Sequence, residues 1–153
     1  MTWKGKYFTL AELTASPTAR RLGIDNTPTA AVTLALAALV HEVLDPLREA
    51  WGAPIVVTSG YRSVRLNARV GGARSSQHVL GQAADIRTLS DTPAENRKLR
   101  NLLISLNLPF DQLIDEFSCD WLHVSHRPDG INRGQLLSAR REGGKTVYLP
   151  GIK

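Results

Sequence analysis

One cysteine, Cys119, is all the thiol chemistry that this 153-residue chain has. An internal disulfide framework and a cysteine-based metal cluster are both excluded, so any metal must be held by histidine and carboxylate. The lone thiol reads as a small, semi-buried hydrophobe rather than a nucleophile. Aromatic residues make up 6% of the chain, and no aromatic or glycine-rich platform for stacking bases is visible. Lys and Arg number 19 against 14 Asp and Glu, for a net charge of +5, yet nowhere do they form a run of five or more. The charge suits an anionic polymer without marking a nucleic-acid arm, so nucleic acid is not an expected partner. Long apolar runs are missing too. The stretch from Ala30 to Leu44 contains His41 and Glu42 and is too short to span a bilayer. The N-terminus, Met1 to Tyr7, is basic but has no apolar h-region. Synthesis in the cytoplasm without a signal peptide, and no membrane insertion, are the expectations. No repeat or linker divides the chain, and 42% hydrophobic residues can fill one core, so residues 1–153 read as a single domain and a monomer.

Local signals then place the elements. Thr9 and Glu12 form a capping box that opens a short helix at Phe8–Leu13, and Ser16-Pro17 ends or redirects it. A long helix is expected from Pro28 to about Ala50, capped by Thr27, with Val32, Leu36, Leu39, Val40, Val43, Leu44 and Leu47 in one apolar stripe. Pro46 should kink it or close its main part. His41 flanks that stripe and reads as a surface residue. Ile55–Thr58, Ala83–Thr88, Gln112–Phe117, Trp121–Ser125 and Thr146–Leu149 read as strands, Asn67–Ser76 as a loop, and Pro93–Asn107 as a second amphipathic helix. Helices followed by interspersed short strands predict an α+β fold: a small, mostly antiparallel sheet with flanking helices.

Two segments carry the chemistry. The first is Ser76-Gln77-His78-Val79-Leu80-Gly81-Gln82-Ala83-Ala84-Asp85, and the second is Asp120-Trp121-Leu122-His123-Val124-Ser125. Together they supply two imidazoles, one carboxylate ligand and one spare carboxylate. Those are the parts of a catalytic zinc site, with three protein ligands, an open position for water and an acid/base residue that is not a ligand. His78 is expected on a turn and Asp85 on a strand, converging across Gly81, which permits positive φ or close backbone approach. Ala83 leaves room beside the metal. His123 shares a strand face with Trp121 and Ser125. Asp120 lies an odd number of residues from His123, so it must sit in the turn before that strand if it is to serve the metal's water. Neutral imidazoles with a carboxylate favour one Zn²⁺ ion. Arg62, after the Ser59-Gly60-Tyr61 turn, is a candidate holder of a substrate carboxylate or a developing oxyanion.

The pattern Ser-x-His-x-x-Gly-x-Ala-x-Asp, followed by Asp-x-x-His, resembles the zinc D-Ala-D-Ala peptidases of family M15. Ser59–Ser63, Asn67, Gly71-Gly72, Glu116-Phe117 and Trp121–Ser125 are similar to M15A-like members, many of them phage-borne or bacterial cell-wall enzymes. The similarity runs from roughly Phe8 to Arg127. The resemblance implies that His78, Asp85 and His123 bind Zn²⁺ and that Asp120 is the general base. Arg62 would stabilise the transition state or bind substrate, with Ser76 and Tyr61 at the substrate pocket. Glu116 is a second candidate base or a partner of a ligand imidazole. The implied fold is hedgehog/D-Ala-D-Ala-peptidase-like. The implied substrates are peptidoglycan stem peptides, cut by a D,D-carboxypeptidase or an endopeptidase. An endolysin freed to the cell wall by phage-type release would fit the absent signal. The rival readings are a cytoplasmic D-Ala-D-Ala dipeptidase and a metal-binding wall-recognition module without turnover. Arg140 to Lys145 reads as a solvated hairpin.

Overall fold

A computed structural model describes residues 3–151 of the chain. Its sheet comprises β1 (Ile55–Ser59), β2 (Ala83–Thr88), β3 (Gln112–Glu116), β4 (Trp121–Ser125), β5 (Gln135–Glu142) and β6 (Lys145–Pro150). The spatial order is β1-β2-β4-β3-β5-β6. β5 runs parallel to β3, while the other neighbours are antiparallel. The α+β class stands, but the sheet is six-stranded and mixed rather than small and mostly antiparallel. The difference arises after His126. Residues Gln135–Glu142 form a full strand that the sequence did not suggest, leading into the exposed hairpin expected at Arg140–Lys145, and the preceding loop returns the chain to the start of β3. Gln135 therefore lies opposite Gln112, and Ala139 opposite Glu116.

Five helices precede β2 in sequence. α1 (Leu10–Thr14) begins with the expected Thr9–Glu12 capping box. In α2 (Pro17–Leu22), Ser16 accepts a hydrogen bond from the Ala19 N–H and Pro17 occupies the first turn, so Ser16-Pro17 starts a helix as well as ending one. α3 (Ala30–Leu39) starts two residues later than expected, capped by Thr29 rather than Thr27. Asp25 binds the Thr27 N–H instead, keeping that segment out of the helix. α3 continues through a π turn (Val40–Leu44) into α4 (Asp45–Trp51). The helix thus passes Pro46 without closing. Proline offers no N–H to the carbonyl four residues back, and the preceding π turn, in which the Asp45 N–H reaches the Val40 carbonyl, absorbs the mismatch. By length and composition Ala30–Trp51 could cross a membrane. In the fold its stripe is core: Leu36, Leu39, Val40, Val43, Leu44 and Leu47 are fully buried. α5 (Val64–Arg69), capped by Ser63, occupies part of the expected loop, and α6 (Pro93–Ser105) buries Leu99 and Leu103.

Strand alternation divides the sheet into two faces. Ala84, Ile86, Leu113, Leu122 and Val124 pack into one cluster with the α3, α4 and α6 leucines. Each such leucine contributes roughly 1.5–3 kcal/mol by leaving water. A one-residue slip would exchange the faces, so this core fixes where the alternate residues stand: Asp85, Ile114, Glu116 and His123 line a cavity on the opposite side.

Candidate metal centre

His78 lies on a single 3₁₀ turn (Gln77–Leu80), and its own N–H donates to the Ser76 hydroxyl that caps the turn. Gly81 closes the turn with φ at +71°. A side chain there would also collide with Val32 of α3 at 2.8 Å. Both roles anticipated for this glycine, left-handed backbone and close approach, are therefore present. Two residues on, β2 begins, and Asp85 stands directly opposite His123 of β4 in the antiparallel register. The turn and the two strands bring the ligand atoms of His78, Asp85 and His123 within 4.8 Å of one another, in a group that could hold a metal ion.

The electrostatics fit a cation. His78 is 2% exposed, and its Nδ1 donates to the Gly60 carbonyl at 2.8 Å. That bond fixes the tautomer and leaves the Nε2 lone pair facing Asp85 Oδ1 at 3.3 Å. His123 Nδ1 reaches the same oxygen at 3.1 Å. Burial pushes the His78 pKa below its ordinary 6.5, more strongly than Asp85 raises it, so the ring is neutral at neutral pH. Burial alone would raise Asp85, but the surrounding interactions, led by the hydrogen bond from His123, outweigh it and keep the carboxylate ionised. A lone pair and an anionic oxygen at that separation repel unless a positive charge sits between them. Two imidazole nitrogens and one carboxylate oxygen are a donor set suited to zinc.

Around this trio the remaining residues separate. Arg62 donates from Nε to Ser59 and from Nη1 to Asn67, and its Nη2 lies 3.8 Å from Asp85 Oδ2. Asn67 is itself tied to the Ala73 carbonyl, and Gly72 must lack a side chain because a Cβ would meet Asn67 at 2.0 Å. Arg62 and Ser76 line the cavity of about 750 Å³ that contains the trio. Tyr61 does not. It packs in the core and borders a smaller cavity of about 270 Å³ beside Arg62.

Glu116 and Asp120 part company. Glu116 ends β3 on the cavity side, buried, with its pKa raised to about 7 mainly by loss of solvent; the His123 charge pulls it down, while Asp85 and Asp115 push it up. Asp120 does lie in the turn before β4, as the strand arithmetic requires, but its side chain is exposed and does not line the cavity. Phe117, Ser118 and Cys119 all adopt positive φ, between 53° and 65°, which reverses the chain tightly before Asp120. Asn96 then binds the Cys119 and Asp120 carbonyls.

The far wall of the cavity has no signal in the sequence. Arg133, Leu137, Arg141, Thr146 and Tyr148 also line the cavity. Alternation in Thr146-Val147-Tyr148 was visible, but only the β3–β5 register reveals which face points inward.

A family model described as "Peptidase M15" matches residues 6–125. A zinc D-Ala-D-Ala carboxypeptidase from Streptomyces albus G is 50% identical over 44 residues, which is 28% of this chain and 17% of that protein. The chain thus matches well under a fifth of that relative's length.

Proposed function

The chain belongs to the peptidase M15 family, and from that premise we propose that it is a zinc-dependent hydrolase of peptide bonds in peptidoglycan stem peptides. The observation that carries this reading is the convergence of His78, Asp85 and His123 on one side of a cavity that also holds Arg62 and Glu116. One Zn²⁺ ion held by His78 Nε2, Asp85 and His123 would supply Lewis-acid polarisation of a carbonyl and a nucleophile at neutral pH. Glu116, not Asp120, is the base in this reading. Its carboxylate takes a proton from the attacking water and returns it to the leaving amine. Its setting supports that work, because a carboxyl tuned towards neutrality exchanges protons near the operating pH. Arg62, held by Ser59 and Asn67, offers its fork to the substrate carbonyl oxygen or to a terminal carboxylate. An endolysin working on the wall from a single zinc peptidase domain is the physiological form we favour.

A digest of purified peptidoglycan with the zinc-loaded protein, beside a chelated control, tests the reading by mass spectrometry. Metal-dependent release of D-Ala is the outcome of a D,D-carboxypeptidase. Stem peptides cut internally identify an endopeptidase. No release with zinc bound, and no turnover of free D-Ala-D-Ala, would leave a wall-binding module.

A further inference from the structure

β5 and β6 carry the cavity beyond the metal trio. Glu116, Ala139 and Tyr148 are paired across β3, β5 and β6, and the next pair on the same face, two residues along, is Arg141 with Thr146. Paired residues share a face, so this row places Arg141, Thr146 and Tyr148 on the wall that begins at Glu116. These residues lie beyond the segment matched by the family model.

Three guanidinium groups line the cavity, and their charges are not equivalent. Arg62 lies 3.8 Å from Asp85. Arg133 is clamped on both oxygens of the buried Asp111, at 2.9 and 2.8 Å. Arg141 makes no ion pair among the described residues. Its guanidinium instead lies over the Phe117 ring, 5.3 Å from the centroid, which orients the planar fork while leaving its N–H edge unused. Tyr148 feels the charges of Glu116 and Asp85, which raise its phenol together with burial, so the hairpin is within electrostatic reach of the trio.

We propose that Arg141, stacked on Phe117 and flanked by Thr146 and Tyr148, is a specificity subsite for a peptide carboxylate remote from the scissile bond. The proposal rests on the peptidase reading and adds the substrate's charge pattern to it. A cavity of about 750 Å³ has room for more than a dipeptide, falling in the range of sites that take drug-sized ligands. An unpaired planar guanidinium discriminates a carboxylate from its amide by charge and by bidentate geometry.

The test uses zinc-loaded protein and a pair of synthetic stem peptides, with the D-Glu carboxylate free or amidated. Wild type should cleave the free acid with kcat/KM about 10- to 100-fold above the amide, the separation one charge-assisted bidentate contact provides. Arg141→Gln should collapse that ratio towards one, through KM for the acid, without a change in melting temperature. Arg141→Lys should restore part of it. Glu142→Gln, at the exposed end of β5 and outside the cavity lining, should leave the ratio intact. A ratio unchanged in Arg141→Gln, or an equal loss on both peptides, would overturn the subsite. If wild type cleaves neither peptide, the hydrolase reading fails by itself. Calorimetric binding of the same pair to wild type and Arg141→Gln then decides the subsite, since only the acid should lose affinity.

Discussion

Asp85 uses both of its oxygens: Oδ1 faces His78 and His123, and Oδ2 faces Arg62. Its neighbour in function, Glu116, makes no side-chain hydrogen bond among the described residues and stands in the cavity with its proton affinity raised. A group so placed is available for proton transfer inside the cavity, whereas Asp120 is exposed and outside the cavity lining. Glu116→Gln should therefore lower kcat by about 10²–10⁴-fold, the usual value of a general base, while zinc content stays at one per chain. Asp120→Asn should keep kcat close to wild type. The reverse result, read from steady-state kinetics and metal analysis, would return the base to Asp120. Because Glu116 must be ionised to accept a proton, activity should rise with pH through its pKa. A bound cation lowers that value, so the acid limb lies at or below about 7. The meeting of His78, Asp85 and His123 was legible because ten residues combined a turn, a glycine and a strand in a fixed spacing. The placement of Glu116 inside the cavity and of Asp120 outside its lining was not legible. It depends on three consecutive left-handed residues, none of them glycine, that turn Asp120 outward.

Elements hold these residues by buried polar contacts as much as by leucines. Asn96 of α6 accepts from the Thr88 N–H and hydroxyl at the end of β2, and donates to the turn before β4. The two strands that present Asp85 and His123 are thereby tied to one helix. Asp111 does the same for the loops, accepting from Gln77 beside the ligand turn and from the Arg133 backbone and side chain. Arg133 holds the Asp111 carboxyl below its ordinary 3.8, outweighing burial. The folded pKa is depressed, so this contribution is complete above pH 3.8 and is lost as pH falls through the lower folded value. Arg133→Gln should cost about 1–2 kcal/mol at pH 7, discounted because the guanidinium is half in solvent. The gap to wild type should shrink below pH 3.8 in thermal melts, and a gap independent of pH would refute the clamp. Capping boxes were legible because they are local, as at Thr9–Glu12. The π turn at Val40–Leu44 was hidden, because a proline in a periodic apolar run signals a break, while the core packing rewards continuity. β5 was hidden for a related reason: Arg140-Arg141-Glu142 looks solvated unless a parallel partner is known.

At the scale of the molecule, the fold does not depend on its metal for a core. The buried cluster of α3, α4, α6 and the inner sheet face lies on the side of the sheet away from His78, Asp85 and His123. Metal binding and folding are then linked but separable, unlike small domains that unfold without zinc. A ligand that binds the folded state alone stabilises it by RT ln(1 + [L]/Kd), about 2.7 kcal/mol at a hundredfold excess over Kd. For a chain of this size each kcal/mol moves the melting temperature by about 2–4 °C. Chelation should therefore abolish hydrolysis and lower the melting temperature by roughly 5–11 °C, while far-UV circular dichroism at 25 °C keeps its native form. Zinc, restored, should recover both. Asp85→Asn should melt near the apo value and respond little to zinc, because it withdraws the anionic member of the donor set. The amide also forfeits the interactions with His123 and Arg62 that favour an ionised Asp85 in the fold, so this variant should be no more stable than chelated wild type. Loss of the far-UV spectrum on chelation would show that the core leans on the metal. A melting temperature indifferent to zinc in the wild type would show that the three donors do not hold it.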